Sequence, residues 1–226
     1  MPATPPDLVI FDCDGVLIDS EIISAQMLIA ELATLGVRVD LDYVAQHFLG
    51  RSYPTVMAQI RSDFALNLPA SFEDAYRARL LVAFERALVV MPGVVEVLAA
   101  LDLPYCVATS SSPGRVEQSL RMTGLWEVAN GRIFTASEVA RGKPAPDLFL
   151  HAAARMGVEP ARCLVIEDSL TGIRAARAAG MEVWRFVGGS HLGAAAAAEP
   201  QDAVPDLRFA NFAQFFKIDP RITERR

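Results

Sequence analysis

Residues 7–20 read Asp7-Leu-Val-Ile-Phe-Asp-Cys-Asp-Gly-Val-Leu-Ile-Asp-Ser20. Four apolar residues, 8–11, lead directly into Asp12, and Asp14 follows two positions later. A short run that is apolar throughout predicts a strand buried on both faces, as in a parallel sheet. Burying two carboxylates at the end of such a strand costs free energy unless a cation or a substrate balances their charge. The alternative for an isolated Asp-x-Asp is a strand end with two solvated aspartates, so the rest of the chain has to distinguish the two.

The composition limits the class of protein to which the chain can belong. Its 226 residues are enough for one substantial core and a smaller domain. With 52% hydrophobic and 21% charged residues, the chain is expected to be globular. The net charge of −6 argues against a nucleic-acid partner, which requires a basic surface. The longest apolar stretch, residues 80–103, is interrupted by charged residues and by Pro92-Gly93, so no membrane partner is expected.

The cysteines and the first residues bear on the cellular compartment. The three cysteines (Cys13, Cys106 and Cys163) cannot all pair, and each lies in or beside an apolar run, as buried reduced thiols do. No basic region precedes Leu8, so no secretory signal is expected. These features favour a cytoplasmic protein, and they leave both a monomer and a homodimer open.

Two kinds of pattern occupy different parts of the chain. From about residue 20 to residue 87 the apolar side chains have helical spacing only, which predicts a compact helical insert. Beyond Pro92-Gly93, helical patterns alternate with apolar runs at 105–108, 133–136, 163–166 and 183–187. Strands that alternate with helices form βαβ units and hence a parallel sheet. We therefore expect an α/β protein, with a Rossmann-like core from residues 1–19 and 88–226 and a helical domain from residues 20–87.

Two further segments carry weaker predictions. The alanine run 194–198 predicts a surface helix without special meaning. Residues 219–226, which include three arginines, predict a frayed C-terminal tail.

Chemically reactive residues follow four of the predicted strands. In chain order they are Asp12 and Asp14, then Thr109 and Ser110, then Lys143, and finally Glu167 and Asp168. Because the carboxyl ends of parallel strands share one edge of the sheet, we expect these side chains to converge there. Crowded carboxylates require a divalent cation, and oxygen ligands without histidine favour magnesium. The lysine and the hydroxyls would hold an anionic group, most simply a phosphate.

Four motifs in this order resemble those of the haloacid dehalogenase-like hydrolase superfamily, in the branch with a helical cap after the first motif. The motifs are Phe11-Asp-Cys-Asp-Gly-Val16, Val107-Ala-Thr-Ser110, Gly142-Lys-Pro-Ala-Pro-Asp147 and Ile166-Glu-Asp-Ser169. The resemblance covers nearly the whole chain. It implies the superfamily's fold, in which the helical insert is a cap domain over the edge of the sheet.

The resemblance also implies a role for each motif residue. Asp12 would attack phosphorus and form an aspartyl-phosphate, and Asp14 would protonate the leaving oxygen and later deprotonate water. Thr109 would hydrogen-bond the phosphoryl oxygens, with Ser110 beside it, and Lys143 would pair with both the nucleophile and the phosphate. Magnesium would be bound by Asp12, by the main-chain carbonyl of Asp14 and by Asp168, with Glu167 binding directly or through water.

Within the superfamily, departures from the related motifs favour a phosphatase. The dehalogenases and the phosphonate-cleaving members lack the second aspartate, so Asp14 favours phosphate esters. Beta-phosphoglucomutases share it, but they carry a histidine where this chain has Ser24. Their cap arginine aligns with Tyr53, although Arg51 is close enough to substitute for it. Asp19-Ser20-Glu21 and Ala179-Gly-Met-Glu-Val183 are more similar to sugar-phosphate phosphatases, including 6-phosphogluconate phosphatase. The mutase is the alternative enzyme, and a non-catalytic phosphate-binding scaffold is the alternative of another class.

Substrate choice is predicted to depend on the cap. Arg51 and Ser52 in the turn 50–53 are predicted to bind substrate, and we expect Arg51 to contact a second anionic group of a phosphorylated metabolite. The competing interpretation of Arg51 is an ordinary solvated arginine. The three histidines (His47, His151 and His191) show no metal-ligand spacing.

Overall fold

The computed structural model describes residues 4–68, 71–192 and 199–225, and its core is one parallel sheet of six strands. The strands are β1 (Leu8–Phe11), β2 (Tyr105–Thr109), β3 (Ile133–Thr135), β4 (Cys163–Glu167), β5 (Glu182–Phe186) and β6 (Leu207–Phe209). Their order across the sheet is β3-β2-β1-β4-β5-β6, and every neighbouring pair is parallel. The predicted α/β class with a Rossmann-like sheet is confirmed, and β6 is an edge strand that the sequence did not indicate.

Ten α-helices lie within the described ranges. They are α1 (Glu21–Thr34), α2 (Leu41–His47), α3 (Tyr53–Asp63), α4 (Ser71–Ala87), α5 (Val94–Ala100), α6 (Pro113–Met122), α7 (Trp126–Ala129), α8 (Asp147–Met156), α9 (Leu170–Ala178) and α10 (Phe215–Ile218). No helix in those ranges combines the length and the apolar composition that crossing a bilayer requires.

Helices cover both faces of the sheet, because its central strands are apolar on each side. The four residues of β1 are completely buried, as the continuous apolar run predicts. Val9 and Phe11 pack on one face with α5, α6 and α10, and Leu8 and Ile10 pack on the other with α8 and α9. These two packed layers fix β1 between β2 and β4, in the middle of the sheet.

The first four helices form a separate packed unit, which we call the helical segment (residues 21–87). Its buried side chains make a hydrophobic cluster distinct from the two that cover the sheet, with Leu32, Ile60, Tyr76 and Phe84 among its members. The chain enters and leaves this segment through adjacent connections. Ile18 pairs with Val90 in an antiparallel bridge, which holds the two connections together.

The C-terminal residues are ordered against the core, so the prediction of a frayed tail is wrong for residues 219–225. Arg221 forms ion pairs with Asp219 at 2.5 Å and with Glu182 of β5 at 2.7 Å. Ile222 is buried, and Glu224 bridges to Leu101 at the end of α5. Arg221 thus ties this segment to β5. The alanine run 194–198 lies outside the described residues.

Candidate active site

The carboxyl ends of β1, β2 and β4 meet at one edge of the sheet, and a buried lysine joins them. The Nζ atom of Lys143 lies 2.6 Å from Asp12 Oδ1, 2.8 Å from Glu167 Oε1 and 3.1 Å from the carbonyl oxygen of Ala108. An ammonium group has three donors, so every one of them is used. The side chain is 1% exposed, which makes these contacts a fixed part of the core.

Three carboxylates lie close together around this lysine. Asp12, Glu167 and Asp168 can each bring one oxygen within 4.8 Å of the others. Burial raises the pKa of Asp12 well above its usual range, and the charges of Glu167 and Asp168 add to this effect against the attraction of Lys143. Burial also raises the pKa of Asp168, again with a contribution from Glu167. The negative charge of the cluster therefore exceeds what Lys143 can balance.

The cluster fits a divalent cation by its chemistry. Its three acids offer oxygen ligands only, which suits magnesium among the biological metals. Asp168 Oδ2 is buried and has no hydrogen-bond partner among the described residues, so it has an unused lone pair. Both oxygens of Glu167 are already engaged, Oε1 by Lys143 and Oε2 by the main-chain N–H and hydroxyl of Ser169.

Asp14 lies two residues from Asp12 in different electrostatic surroundings. Its Oδ1 accepts hydrogen bonds from Ser20 Oγ at 2.5 Å and from the Arg115 guanidinium at 2.8 Å. Its Oδ2 accepts from Ser111 Oγ at 2.6 Å. Burial opposes ionisation of Asp14, but Arg115 and the two hydroxyls outweigh it and hold the pKa of this carboxyl below its usual range.

The two hydroxyl residues at the end of β2 occupy different positions. Thr109 is completely buried, and its hydroxyl accepts from the N–H of Ser111 and lies 3.4 Å from Asp14 Oδ2. Ser110 lines the adjoining cavity, and its hydroxyl donates to the carbonyl of Gly50 at 2.9 Å. Ser110 is therefore the hydroxyl next to the open space, while Thr109 supports Asp14 and the loop from below.

A cavity of about 250 Å³ separates the sheet edge from the helical segment. Asp12, Asp14 and Ser110 line its sheet side. On the helical side the lining is largely apolar, and polar groups are few and separate. The charged residues among them are Glu21, Arg51 and Arg77, and Arg115 lies between the two sides. A small cavity with a few convergent polar groups is typical of a metabolite site.

The two residues predicted for substrate choice differ in their placement. Arg51 lines the cavity, and one of its terminal nitrogens donates to Gln59 Oε1 at 2.9 Å. Its Nε is buried without a partner among the described residues. Ser52 precedes α3, where its hydroxyl pairs with that of Thr55 at 2.9 Å, and it does not line the cavity. The structure therefore brings Arg51 to the cavity and leaves Ser52 outside it.

Three residues of this region were not predicted from the sequence to belong to the site. Arg115 lies in the first turn of α6, shortly after the end of β2, so it shares the sheet edge with that strand end. Burial, with the nearby charges of Asp14 and Asp168, raises the pKa of Glu21 to about 8. His191 Nε2 lies 2.8 Å from Asp168 Oδ2, and burial lowers the pKa of its ring.

Comparison with known proteins agrees with this geometry. A family model described as haloacid dehalogenase-like hydrolase matches residues 6–180. The 6-phosphogluconate phosphatase of Escherichia coli strain K12 is 28% identical, over 82% of this chain and 84% of that protein. A probable pseudouridine-5'-phosphatase from Drosophila melanogaster is 34% identical, over 77% of this chain and 78% of that protein.

A solved structure of a related hydrolase extends the comparison to nearly the whole chain. It is a haloacid dehalogenase family hydrolase from Deinococcus radiodurans R1 with bound phosphate and sodium. It is 33% identical to this chain, with a TM-score of 0.73, and the match covers 96% of this chain and 97% of that one. The family resemblance and the prediction of an enzyme are confirmed. The chain belongs to the haloacid dehalogenase-like hydrolase family.

Proposed function

We propose that this hydrolase is a magnesium-dependent phosphatase, which cleaves a small phosphorylated sugar or sugar acid through an aspartyl-phosphate on Asp12. One observation carries the proposal. Lys143 Nζ contacts Asp12 Oδ1 at 2.6 Å inside a cluster of carboxylates, directly beside a cavity of metabolite size. Such a pairing orients a carboxylate nucleophile and offers a cation to the incoming phosphoryl oxygens.

In this mechanism Asp12 is the nucleophile and Asp14 is the general acid and base. A carboxylate oxygen of Asp12 attacks phosphorus, and the bond from phosphorus to the leaving oxygen breaks as Asp14 gives that oxygen a proton. Asp14 then takes a proton from water, whose oxygen attacks the same phosphorus. Inorganic phosphate leaves, Asp12 is regenerated, and Asp14 again carries a proton. Lys143 and Ser110 would hold the phosphoryl oxygens, and Thr109 would support Asp14.

The cation of this proposal would be held by the carboxylates of Asp12 and Asp168, with the main-chain carbonyl of Asp14. Because both oxygens of Glu167 already accept hydrogen bonds, we propose that Glu167 acts through water. When bound, magnesium offsets the repulsion between the nucleophile and a phosphate dianion. The approach of three buried carboxylates and the excess negative charge of the cluster support this assignment.

We also propose that residues 20–87 act as a cap domain over a core formed by residues 1–19 and 88–226. The helical segment has its own hydrophobic cluster and leaves the core through paired connections, as a unit that moves about a hinge would. The hydrogen bond from Ser110 to the Gly50 carbonyl joins its turn to the sheet edge. A closed cap of this kind excludes water from the reaction.

The cavity favours a substrate with a second anionic or strongly polar group. Three arginines line it, but Arg115 pairs with Asp14 and Arg77 with Glu73. Arg51 donates to the neutral amide of Gln59, and its buried Nε has no partner among the described residues, so its charge can bind such a group. The relative from Escherichia coli is named 6-phosphogluconate phosphatase, after a phosphorylated sugar acid, and we extend that substrate class to this chain.

Three free, buried cysteines support a cytoplasmic location.

A phosphosugar mutase remains the second candidate, because Arg51 lines the cavity as a second phosphate-binding group would. Against it, Ser24 occupies the place of the mutase histidine and contacts Arg115 through its hydroxyl at 3.3 Å. A serine hydroxyl cannot act as a general acid or base near neutral pH, whereas histidine can.

The test is phosphate release from hexose phosphates, 6-phosphogluconate, phosphoglycolate and beta-glucose 1-phosphate, each with Mg²⁺ and with EDTA. Magnesium-dependent release from one class, abolished in Asp12→Asn, is the expected result. Conversion of beta-glucose 1-phosphate to glucose 6-phosphate without release would instead identify the mutase. Neither reaction with any compound would favour the non-catalytic scaffold and refute the proposal for these substrates.

A further inference from the structure

His191 is buried against one of the candidate metal ligands. Its side chain is 5% exposed, that of Asp168 is 1% exposed, and Nε2 lies 2.8 Å from Oδ2. That separation is typical of a hydrogen bond, although the two groups are not aligned as one. Neither ring nitrogen nor Oδ2 has another hydrogen-bond partner among the described residues. Each group is thus the nearest partner available to the other.

Two glycines make room for this pair. Gly15 has a φ of +80°, and a Cβ there would lie 2.2 Å from Asp168 Oδ2 and 3.0 Å from His191 Cε1. A Cβ on Gly189 would lie 2.6 Å from His191 Cε1 and 2.8 Å from Nδ1. At either position a Cβ would come too close to the pair unless the ring or the carboxylate moved. The main chain therefore approaches the pair closely at two glycines, where a larger residue would displace it.

The loop that carries His191 is attached to the segment that follows the first motif. Ser190 donates its main-chain N–H and its hydroxyl to Asp19 Oδ1, at 3.2 and 2.9 Å. The main chain of Asp168 is held separately, because Arg185 Nε donates to its carbonyl oxygen at 3.0 Å. Arg185 thus fixes the backbone of Asp168 and leaves its carboxylate to be oriented by something else.

We propose that His191 is the positioning residue for Asp168, and this proposal rests on the metal-dependent function proposed above. A small rotation about the last bond of either side chain aligns Nε2–H with Oδ2. The hydrogen bond then holds one oxygen of the carboxylate and presents the other to the cation. Outer hydrogen bonds of this kind orient metal ligands, and their loss typically weakens metal binding by about 10- to 100-fold.

The experiment measures Mn²⁺ binding to the metal-free protein by electron paramagnetic resonance, a readout that does not depend on turnover. His191→Leu removes the donor and should weaken binding by about 10- to 100-fold. His191→Gln keeps an N–H at a similar reach and should restore most of the affinity. His151→Leu is the matched control, because His151 lies 3.3 Å from the Glu138 carboxylate away from the site. This control should bind Mn²⁺ as the wild type does.

Gly189→Ala provides a second test that leaves the imidazole in place. The added Cβ displaces the ring, so affinity should fall here as well, even if His191→Leu does not fold. Equal Mn²⁺ affinity in His191→Leu and the wild type would overturn the proposal. Equal weakening in His191→Leu and His191→Gln would also overturn it, because it would indicate that His191 acts through packing alone. Nitrogen modulation of the Mn²⁺ signal would overturn it in favour of a direct ligand. A wild-type protein that binds no Mn²⁺ would refute the proposed metal dependence itself, and the positioning role with it.

Discussion

Replacing Lys143 with methionine should destabilise the metal-free protein by about 4 kcal/mol at pH 7. Lys143 Nζ contacts Asp12 at 2.6 Å and Glu167 at 2.8 Å, and its side chain is 1% exposed. Without Lys143, its charge no longer offsets the repulsion among the buried carboxylates. The folded protein can reduce that repulsion by binding one further proton. Protonating an aspartate of ordinary pKa at pH 7 costs about 4 kcal/mol. That figure agrees with the roughly 3–5 kcal/mol lost when one partner of a buried ion pair is removed.

The same argument fixes how the destabilisation depends on pH. In the wild type the charge of Lys143 lowers the pKa of Asp12 against the effect of burial, so its loss raises the pKa of the folded cluster further, and the unfolded chain releases the additional proton at lower pH. The penalty therefore grows as the pH rises from the unfolded pKa toward the folded one. For Lys143→Met the loss should shrink by about 1.4 kcal/mol with each unit of falling pH, to about 1.5 kcal/mol at pH 5.

Urea unfolding in EDTA at pH 5, 6 and 7 measures both quantities. The control is Arg141→Met, because Arg141 pairs with Asp147 while its side chain is 71% exposed. That variant should be almost unchanged and should show no dependence on pH. A loss below about 1 kcal/mol for Lys143→Met at pH 7, or a loss that does not change with pH, would refute the reasoning.

Asp14→Asn should keep phosphate and Mn²⁺ binding while kcat falls by about 10²- to 10⁴-fold, and turnover near wild type would remove Asp14 from the mechanism. Burial raises the pKa of Asp14, while Arg115 and the hydroxyls of Ser111 and Ser20 together lower it below its usual range. Arg115→Met should therefore move the alkaline limb of kcat/KM to higher pH; an unmoved limb would contradict this. Arg51→Ala should raise KM about 10- to 100-fold for a phosphorylated sugar acid and much less for a neutral sugar phosphate, with the exposed Arg61→Ala as control; equal effects on both substrates would count against a second anionic group. Burial and Asp14 raise the pKa of Glu21 from 4.5 to about 8. The stability of the wild type should therefore fall as the pH rises through that range. Glu21→Gln should therefore be increasingly more stable than wild type in EDTA between those pH values, with a constant difference above them, and a flat difference in urea unfolding would contradict it.

The central strands were predictable because each is apolar on both faces. A buried parallel strand has to be a continuous apolar run, and β1, β2 and β4 all have one. Strand β6 has only three residues and an arginine at its middle position, so its sequence does not differ from that of a loop. A short edge strand pairs on one side only and needs no such run.

The C-terminal segment illustrates a different limit. Its arginines indicated solvation, since charged residues are mostly exposed. In the structure Arg221 pairs with Asp219 and with Glu182, which lies 39 residues earlier in the chain. Local sequence contains no information on such a distant partner, so the ordering of this tail could not be predicted from it.

At the candidate site, topology was informative and side-chain direction was not. Lys143 and Glu167 follow or end predicted strands, so the shared edge of a parallel sheet was enough to bring them to Asp12. Arg115 and His191 reach the same edge from a helix and a loop. Their contacts with Asp14 and Asp168 depend on how those elements pack, which motif spacing does not report.

Asp12 and Asp14 have surroundings that shift their pKa values in opposite directions, and the shifts are the reverse of those that the proposed chemistry needs. A nucleophile has to be ionised, whereas the pKa of Asp12 is raised; an acid has to carry a proton, whereas the pKa of Asp14 is lowered. A cation bound by the carboxylates favours ionised Asp12, and a phosphate dianion beside Asp14 favours its protonated form. The cation thus favours the working protonation state of Asp12, and the phosphate favours that of Asp14. We therefore expect the aspartates to reach their working protonation states only when cation and phosphate are both bound, which limits reaction with water alone.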